Sequence, residues 1–287
     1  MFPDWLKRSD FAVALARKYF QYRSRNLQKV IFTATTGRSG TKSLAKLFSM
    51  VPECVAFHEP YPIMNGPVLK AANYGDHATV DRVYRQVKSV NILRSAVGYR
   101  YYVESNHLFV KTFFRNAVEE FGARIAVIHL VRSPVEVAMS IYCLDEPSGT
   151  ENADYWWLDH RAPTNVVQIA DALDSDVWSH PFYKALWYWY EVESRFDVWR
   201  SKYPALEVVR FETDWINERP RVLRLLEDLG IPSQRVRAES LVSPKTHERA
   251  HHKSLAPFPL EEAERMHIQF QTLLAERGVD IARIKWR

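Results

Sequence analysis

One junction constrains this chain more than anything else in it. Val30-Ile31-Phe32-Thr33-Ala34 is followed by Thr35-Thr36-Gly37-Arg38-Ser39-Gly40, and then by Thr41-Lys42-Ser43 with Leu44, Leu47, Phe48 and Val51 beyond. The first run is apolar and partly β-branched, as a strand buried on both faces must be. The four apolar residues at the end repeat at helical spacing. A buried strand that turns directly into a helix belongs to a parallel sheet rather than to a hairpin. The arrangement recurs at 125–131, where Ile-Ala-Val-Ile-His-Leu-Val meets Arg132-Ser133-Pro134 and then Val135, Ala138, Ile141 and Tyr142. Pro134 suits the first turn of a helix.

The remaining elements follow the same alternation. Cys54-Val55-Ala56-Phe57 predicts a second strand running into His58-Glu59-Pro60. Leu108-Phe109-Val110 predicts a third, ended by Lys111, and 206–211 a fifth. Residues 61–78 read as irregular and 79–90 as helical. Phe182, Leu186, Trp189, Val192, Phe196 and Trp199 predict a long amphipathic helix whose aromatic stripe is core. Further helices are expected at 222–229, closed by Gly230 and Pro232, and near 260–277. Residues 144–180 carry turn formers and no sustained period, the character of a lid. The expected fold is therefore α/β, a single domain with a central parallel sheet flanked by helices. It divides into an N-terminal helix (1–27), a nucleotide-binding core (28–230) and a C-terminal segment (231–287).

Composition narrows the classes. With 47% hydrophobic residues in 287, there is apolar material for a sizeable core, and disorder is excluded as the dominant state. Two cysteines, Cys54 and Cys143, exclude a disulfide scaffold and a cysteine-rich zinc module. The net charge of +5 suits an anionic ligand without choosing one. No run approaches the ~20 apolar residues that span a bilayer. The first apolar patch is broken by Arg17 and Lys18, which predicts an amphipathic helix, docked on the domain or lying on a membrane surface, rather than a signal peptide. The expected location is cytoplasmic.

The first junction is suited to an anion. A helix N-terminus offers N–H groups and partial positive charge. Gly37 and Gly40 permit close backbone approach. Arg38 and Lys42 add charge, and Ser39, Thr41 and Ser43 add hydroxyls. The spacing is not that of a Walker A loop, which needs Gly six residues before the Lys and directly before it. Thr36 and Thr41 stand there instead, and the strand at 125–131 ends in Arg132 rather than a magnesium-binding Asp.

The run Thr35 to Ser43 resembles the 5′-phosphosulfate-binding loop of sulfotransferases that use 3′-phosphoadenosine 5′-phosphosulfate (PAPS). Arg132 and Ser140, eight residues apart across the second junction, resemble that family's 3′-phosphate motif. Phe211 matches an aromatic beside the adenine, and Phe57-His58-Glu59-Pro60 resembles the end of the second strand in carbohydrate sulfotransferases, where a Glu can act as base. The resemblance spans roughly residues 28–230. It implies a P-loop NTPase-like sulfotransferase fold and PAPS as co-substrate, with no metal. It further implies sulfuryl transfer to an acceptor hydroxyl on a carbohydrate or glycoconjugate. Gly37, Arg38, Ser39, Gly40, Thr41, Lys42 and Ser43 would hold the 5′-phosphosulfate. Arg132 and Ser140 would hold the 3′-phosphate and Phe211 the base. Catalytic roles fall to Glu59, Arg38, Lys42, His58 and Lys111. Because neighbouring strand residues face opposite ways, at most one of His58 and Glu59 is expected to point into the site. Arg38, where the cytosolic small-molecule branch carries Lys, looks more like the carbohydrate branch, and the cytosolic branch's C-terminal Arg-Lys-Gly loop is absent. Lys245 to Lys253, with His247, His251 and His252, is the candidate substitute. The alternatives are a P-loop kinase-like phosphotransferase and a non-catalytic nucleotide- or nucleic-acid-binding module; no RNA-binding signature favours nucleic acid as a partner.

Overall fold

The computed structural model of the chain describes residues 10–232 and 254–284. The segment 245–253 lies outside them.

Five parallel strands form one sheet in the order β2-β3-β1-β4-β5. They are β1 (Lys29–Ala34), β2 (Cys54–His58), β3 (Tyr101–Ser105), β4 (Ile125–Val131) and β5 (Glu207–Glu212). Helices cover both faces, the arrangement that all-parallel sheets require. Alternation along β1 sorts the core. Ile31 joins Leu44, Leu47 and Phe48 of α2 (Thr41–Ser49) and Leu225 and Leu226 of α11 (Arg219–Asp228). Val30 and Phe32 face the opposite side, against Phe109, Phe113, Phe114 and Phe196.

The third strand differs from the sequence expectation. Leu108, Phe109 and Val110 belong to a wide helical turn, Phe109–Phe113, that leads into α6 (Phe114–Phe121). The strand is Tyr101–Ser105, and all five of its residues are buried. Its polar residues disguised it. Glu104 is 0% exposed because Lys88, from the turn Tyr84–Lys88, meets it at 2.5 Å. Tyr102 Oη and Asn106 Nδ2 donate to the same carboxylate at 2.7 and 2.9 Å. β3 also sits between β1 and β2, so β2 does not adjoin the strand that precedes it in sequence.

Residues 61–78 are less irregular than expected. Pro67 opens α3 (Pro67–Asn73), and the Asp76 side chain caps α4 (His77–Val83). Seven-residue helices are too short to declare a period. Within 144–180 the helices α8 (Glu151–Asp154) and α9 (Ala170–Leu173) are shorter still. Leu158, Val167, Ile169 and Leu173 nevertheless join a third cluster with α7 (Pro134–Tyr142), α10 (Pro181–Lys202) and α12 (Leu260–Glu276). A buried carboxylate fixes that stretch: Glu191 of α10 accepts the N–H groups of Val166 and Val167 and the Nε of Arg195. Between Phe182 and Phe196, α10 is buried almost all round, as a helix enclosed by other layers must be. Among the described residues no helix is long and apolar enough to cross a membrane.

Candidate functional site

β1 and β4 are neighbours, paired from Val30↔Ile125 to Ala34↔His129. The two strand–turn–helix junctions therefore open side by side at the carboxyl edge of the sheet, where ligands of open α/β folds bind. Direct bonds join them. Arg38 Nε donates to Ser140 Oγ at 3.0 Å, and Arg132 Nη1 donates to the Arg38 carbonyl at 2.8 Å. The three residues singled out at the two turns thus meet in one place, and α7 runs close enough for Ser140, two turns in, to reach the first loop.

The first loop is a backbone concavity. Gly37, Arg38 and Gly40 have φ of 83°, 56° and 78°. Ser39 lies between them without a positive φ, and a change of hand of this kind along the backbone is the one from which an anion nest is built. Gly40 is the N-cap of α2 and supplies no capping side chain, so nothing from the cap residue covers the helix end. A Cβ on Gly37 would stand 3.2 Å from the His107 side chain, so only glycine lets the loop lie this close to the end of β3. Ser39 turns inward, donating to the Gly37 carbonyl, and is 0% exposed. It shapes the loop rather than facing out. Lys42 is exposed, whereas Thr41 and Ser43 are buried.

Two aromatic residues of α10 brace the turns from behind. Tyr188 Oη donates to the Thr36 carbonyl at 2.5 Å, and Trp189 Nε1 to the Arg132 carbonyl at 3.1 Å. Thr213 ties the same region to β5, donating to the carbonyls of Ser39 and Val131. The aromatic stripe is core, as its spacing implied, but Trp189 within it and Tyr188 beside it hold the two loops by their polar tips. Nothing in apolar periodicity reports that.

Beside the nest lies a cluster of titratable groups. His58 Nε2 is hydrogen-bonded to Thr41 Oγ1 at 3.0 Å and lies 3.5 Å from Glu59 Oε1. Both residues converge, against the expectation from strand alternation. Glu59 has φ of 48°, so the alternation stops one residue past β2. His107 Nε2 approaches the same Glu59 oxygen at 3.6 Å. His107 was not anticipated; it follows β3 closely and becomes visible once that strand is placed at 101–105.

Lys111 does not end a strand. It sits in the turn after β3, 3% exposed, with Nζ 2.7 Å from His107 Nδ1 and 2.7 Å from Tyr188 Oη. Because Tyr188 gives its hydrogen to Thr36, it accepts from Lys111. Lys111 Nζ and His107 Nδ1 share a hydrogen bond, and the other imidazole nitrogen, Nε2, faces Glu59. Burial pushes Lys111 well below the usual lysine range, and Glu59 partly offsets this. Burial, with Lys111 next, holds His107 well below the usual histidine range. Burial and then Lys42 bring His58 down to about 4. Burial raises Glu59 above the usual carboxylate range, opposed by Lys111 and Lys42. The cluster thus sets the Glu59 carboxyl against two imidazoles that stay neutral at neutral pH.

Phe211 is 2% exposed and belongs to the core between sheet and helices, edge-on to Trp215. Its ring offers no open face for a base to lie against, because its place on β5 turns it beneath the sheet rather than past its end. Next to Arg132 is a cavity of about 490 Å³. Arg132, Glu136, Thr213, Asp214, Glu264 and His267 are among its lining residues. Among the described residues no group of three or more His, Cys, Asp or Glu is placed to hold a metal ion.

No protein-family model and no curated protein matches the chain. Solved structures do. A sulfotransferase domain from the curacin biosynthetic pathway aligns at 14% identity and a TM-score of 0.46, over 85% of this chain and 98% of its own. A sulfotransferase from Alicyclobacillus acidocaldarius aligns at 15% and 0.48, over 88% and 93%. One from Mycobacterium tuberculosis aligns at 17% and 0.43, over 88% and 80%.

Proposed function

We propose that the chain is a sulfotransferase that moves a sulfuryl group from PAPS to an acceptor hydroxyl, on a carbohydrate or glycoconjugate. One observation carries this reading: Arg38, Ser140 and Arg132 are bonded to one another where two neighbouring strands end. A ligand with phosphoryl groups at two separated positions suits such a paired site. The donor set fits it, with a backbone nest, a helix N-terminus and fixed cations.

In this reading Arg38, Lys42 and the N–H groups of the loop hold the 5′-phosphosulfate and stabilise the charge left on the departing phosphate. Thr41 and Ser43 support it; Ser39 and Gly37 keep the loop in shape. Arg132 and Ser140 hold the 3′-phosphate. The S–O bond to the nucleotide phosphate breaks as the acceptor oxygen bonds to sulfur, and the acceptor proton passes to Glu59. Positioning and electrostatic stabilisation dominate such transfers, by analogy with phosphoryl transfer. Glu59 is favoured as base on two grounds: its affinity for a proton is raised, while His58 is held near 4 and His107 well below the usual histidine range. Lys111 acts through His107 and Tyr188 rather than on the reacting atoms. The carbohydrate acceptor rests on Arg38 and on Glu59 at the end of β2.

The test is transfer of label from sulfur-labelled PAPS to a panel of sugar, lipid, phenol and tyrosine-peptide acceptors, with and without a chelator. Transfer that survives chelation is expected. Transfer of phosphate from ATP, abolished by chelation, would assign a kinase. Binding of nucleotide without transfer to any acceptor would assign a non-catalytic module.

A further inference from the structure

Helix α1 (Asp10–Arg23) contains no buried residue, yet it is fixed firmly to the domain. Arg17 makes a 2.7 Å ion pair with Glu120, Gln86 donates to Asp10, and Phe20 packs against the core beneath β1. Residues 12, 13, 16, 17 and 20 face inward. The opposite face is bare and aromatic: Phe11 is 79% exposed, Leu15 60%, Tyr19 52% and Tyr22 66%. Spacings of four, four and three place these four in one stripe, about 16 Å long at 1.5 Å per residue. A stripe of this kind is a binding surface more often than an accident.

Its charges identify the partner. Lys18 is exposed within the stripe. The Arg23 guanidinium donates to Tyr19 Oη, and that of Arg25 lies 4.9 Å above the Tyr22 ring. The one acid of the helix, Asp10, is at its far end and engaged with Gln86. A second copy of the chain related by a twofold axis would bring these cations face to face. An anionic lipid surface instead accepts both features. Tyrosine rings settle at the headgroup level with their hydroxyls in water, and the basic groups meet lipid phosphates. We infer that α1 is an interfacial helix that lays Phe11, Leu15, Tyr19 and Tyr22 onto an anionic membrane.

Co-sedimentation of the full chain with vesicles tests this, comparing phosphatidylcholine alone with phosphatidylcholine containing phosphatidylserine. The chain should bind the anionic vesicles selectively, and less as salt is raised. Leu15→Glu with Tyr22→Glu should lower the partition coefficient at least about tenfold, since it removes apolar area and adds repulsion. Lys18→Glu with Arg25→Glu should remove the preference for anionic lipid. All four positions are exposed, so unchanged thermal melting and nucleotide affinity are expected and separate lost binding from lost fold. No binding of the parent chain to anionic vesicles, or equal binding by both variants, overturns the inference. So does a parent chain that dimerises in solution through this face or binds only a protein partner there.

Discussion

Replacing Glu59 by Gln should lower turnover by ~10²–10⁴, the usual cost of removing a general base, while nucleotide affinity stays near that of the parent. Gln keeps the shape and tolerates the positive φ of 48° no worse than Glu does. What it loses is basicity. Glu59 is buried enough to raise its proton affinity, and Lys111 and Lys42 oppose that rise without cancelling it. The sign of the pH effect follows. Above the raised value the carboxylate is free to accept a proton. As pH falls through it, the carboxyl is protonated and the rate drops. The parent should therefore show an acid limb above the ordinary carboxylate range, and Glu59→Gln should have no such limb. Near-normal turnover in Glu59→Gln, with loss in His58→Asn or His107→Asn, would move the base to an imidazole.

The second large effect is on folding. Lys88 and Glu104 are 1% and 0% exposed and meet at 2.5 Å. Lys88 also donates to the carbonyls of Pro60 and Pro62, so it fixes the loop that follows Glu59. Removing one partner of a buried ion pair costs about 3–5 kcal/mol, because the other charge remains uncompensated. Lys88→Met should lose stability of that order in urea unfolding. The double variant Lys88→Met with Glu104→Gln should be more stable than Lys88→Met alone, since no unpaired charge is left and Gln still accepts from Tyr102. Turnover of whatever folded Lys88→Met remains should also fall, because the loop carrying Glu59 loses its tether. A loss within about 0.5 kcal/mol, the size of an ordinary surface substitution, would show that the pair carries little.

This pair also explains what the sequence hid. Strand β3 reads Tyr-Tyr-Val-Glu-Ser, and its Glu is tolerable only because a Lys distant in sequence neutralises it. Leu108-Phe109-Val110 looks more strand-like because all three are apolar, yet Phe109–Phe113 is helical and Phe109 packs among aromatic rings. Local pattern sees apolarity, not its partner. The two junctions at Gly37 and Arg132 were legible because strand, turn and helix there are contiguous and each apolar run is unbroken. Their meeting was legible too, since both turns carry an Arg suited to the same ligand. The convergence of His58 and Glu59 was not, because one backbone angle decides it. The bracing by Tyr188 and Trp189 depends on single polar atoms at the tips of rings whose bulk belongs to the core.

Calorimetry of adenosine 3′,5′-bisphosphate against adenosine 5′-phosphate tests the central claim most directly. A charge-assisted hydrogen bond contributes about 1.5–3 kcal/mol, roughly ten- to a hundredfold in affinity. The parent chain should prefer the bisphosphate by that order, and Arg132→Ala should remove most of the preference. Arg132 also holds the Arg38 carbonyl, so both nucleotides will weaken somewhat, and the ratio is the quantity to read. A parent chain that binds the two nucleotides equally, or an Arg132→Ala variant that weakens both by the same factor, would contradict a site built for a 3′-phosphate.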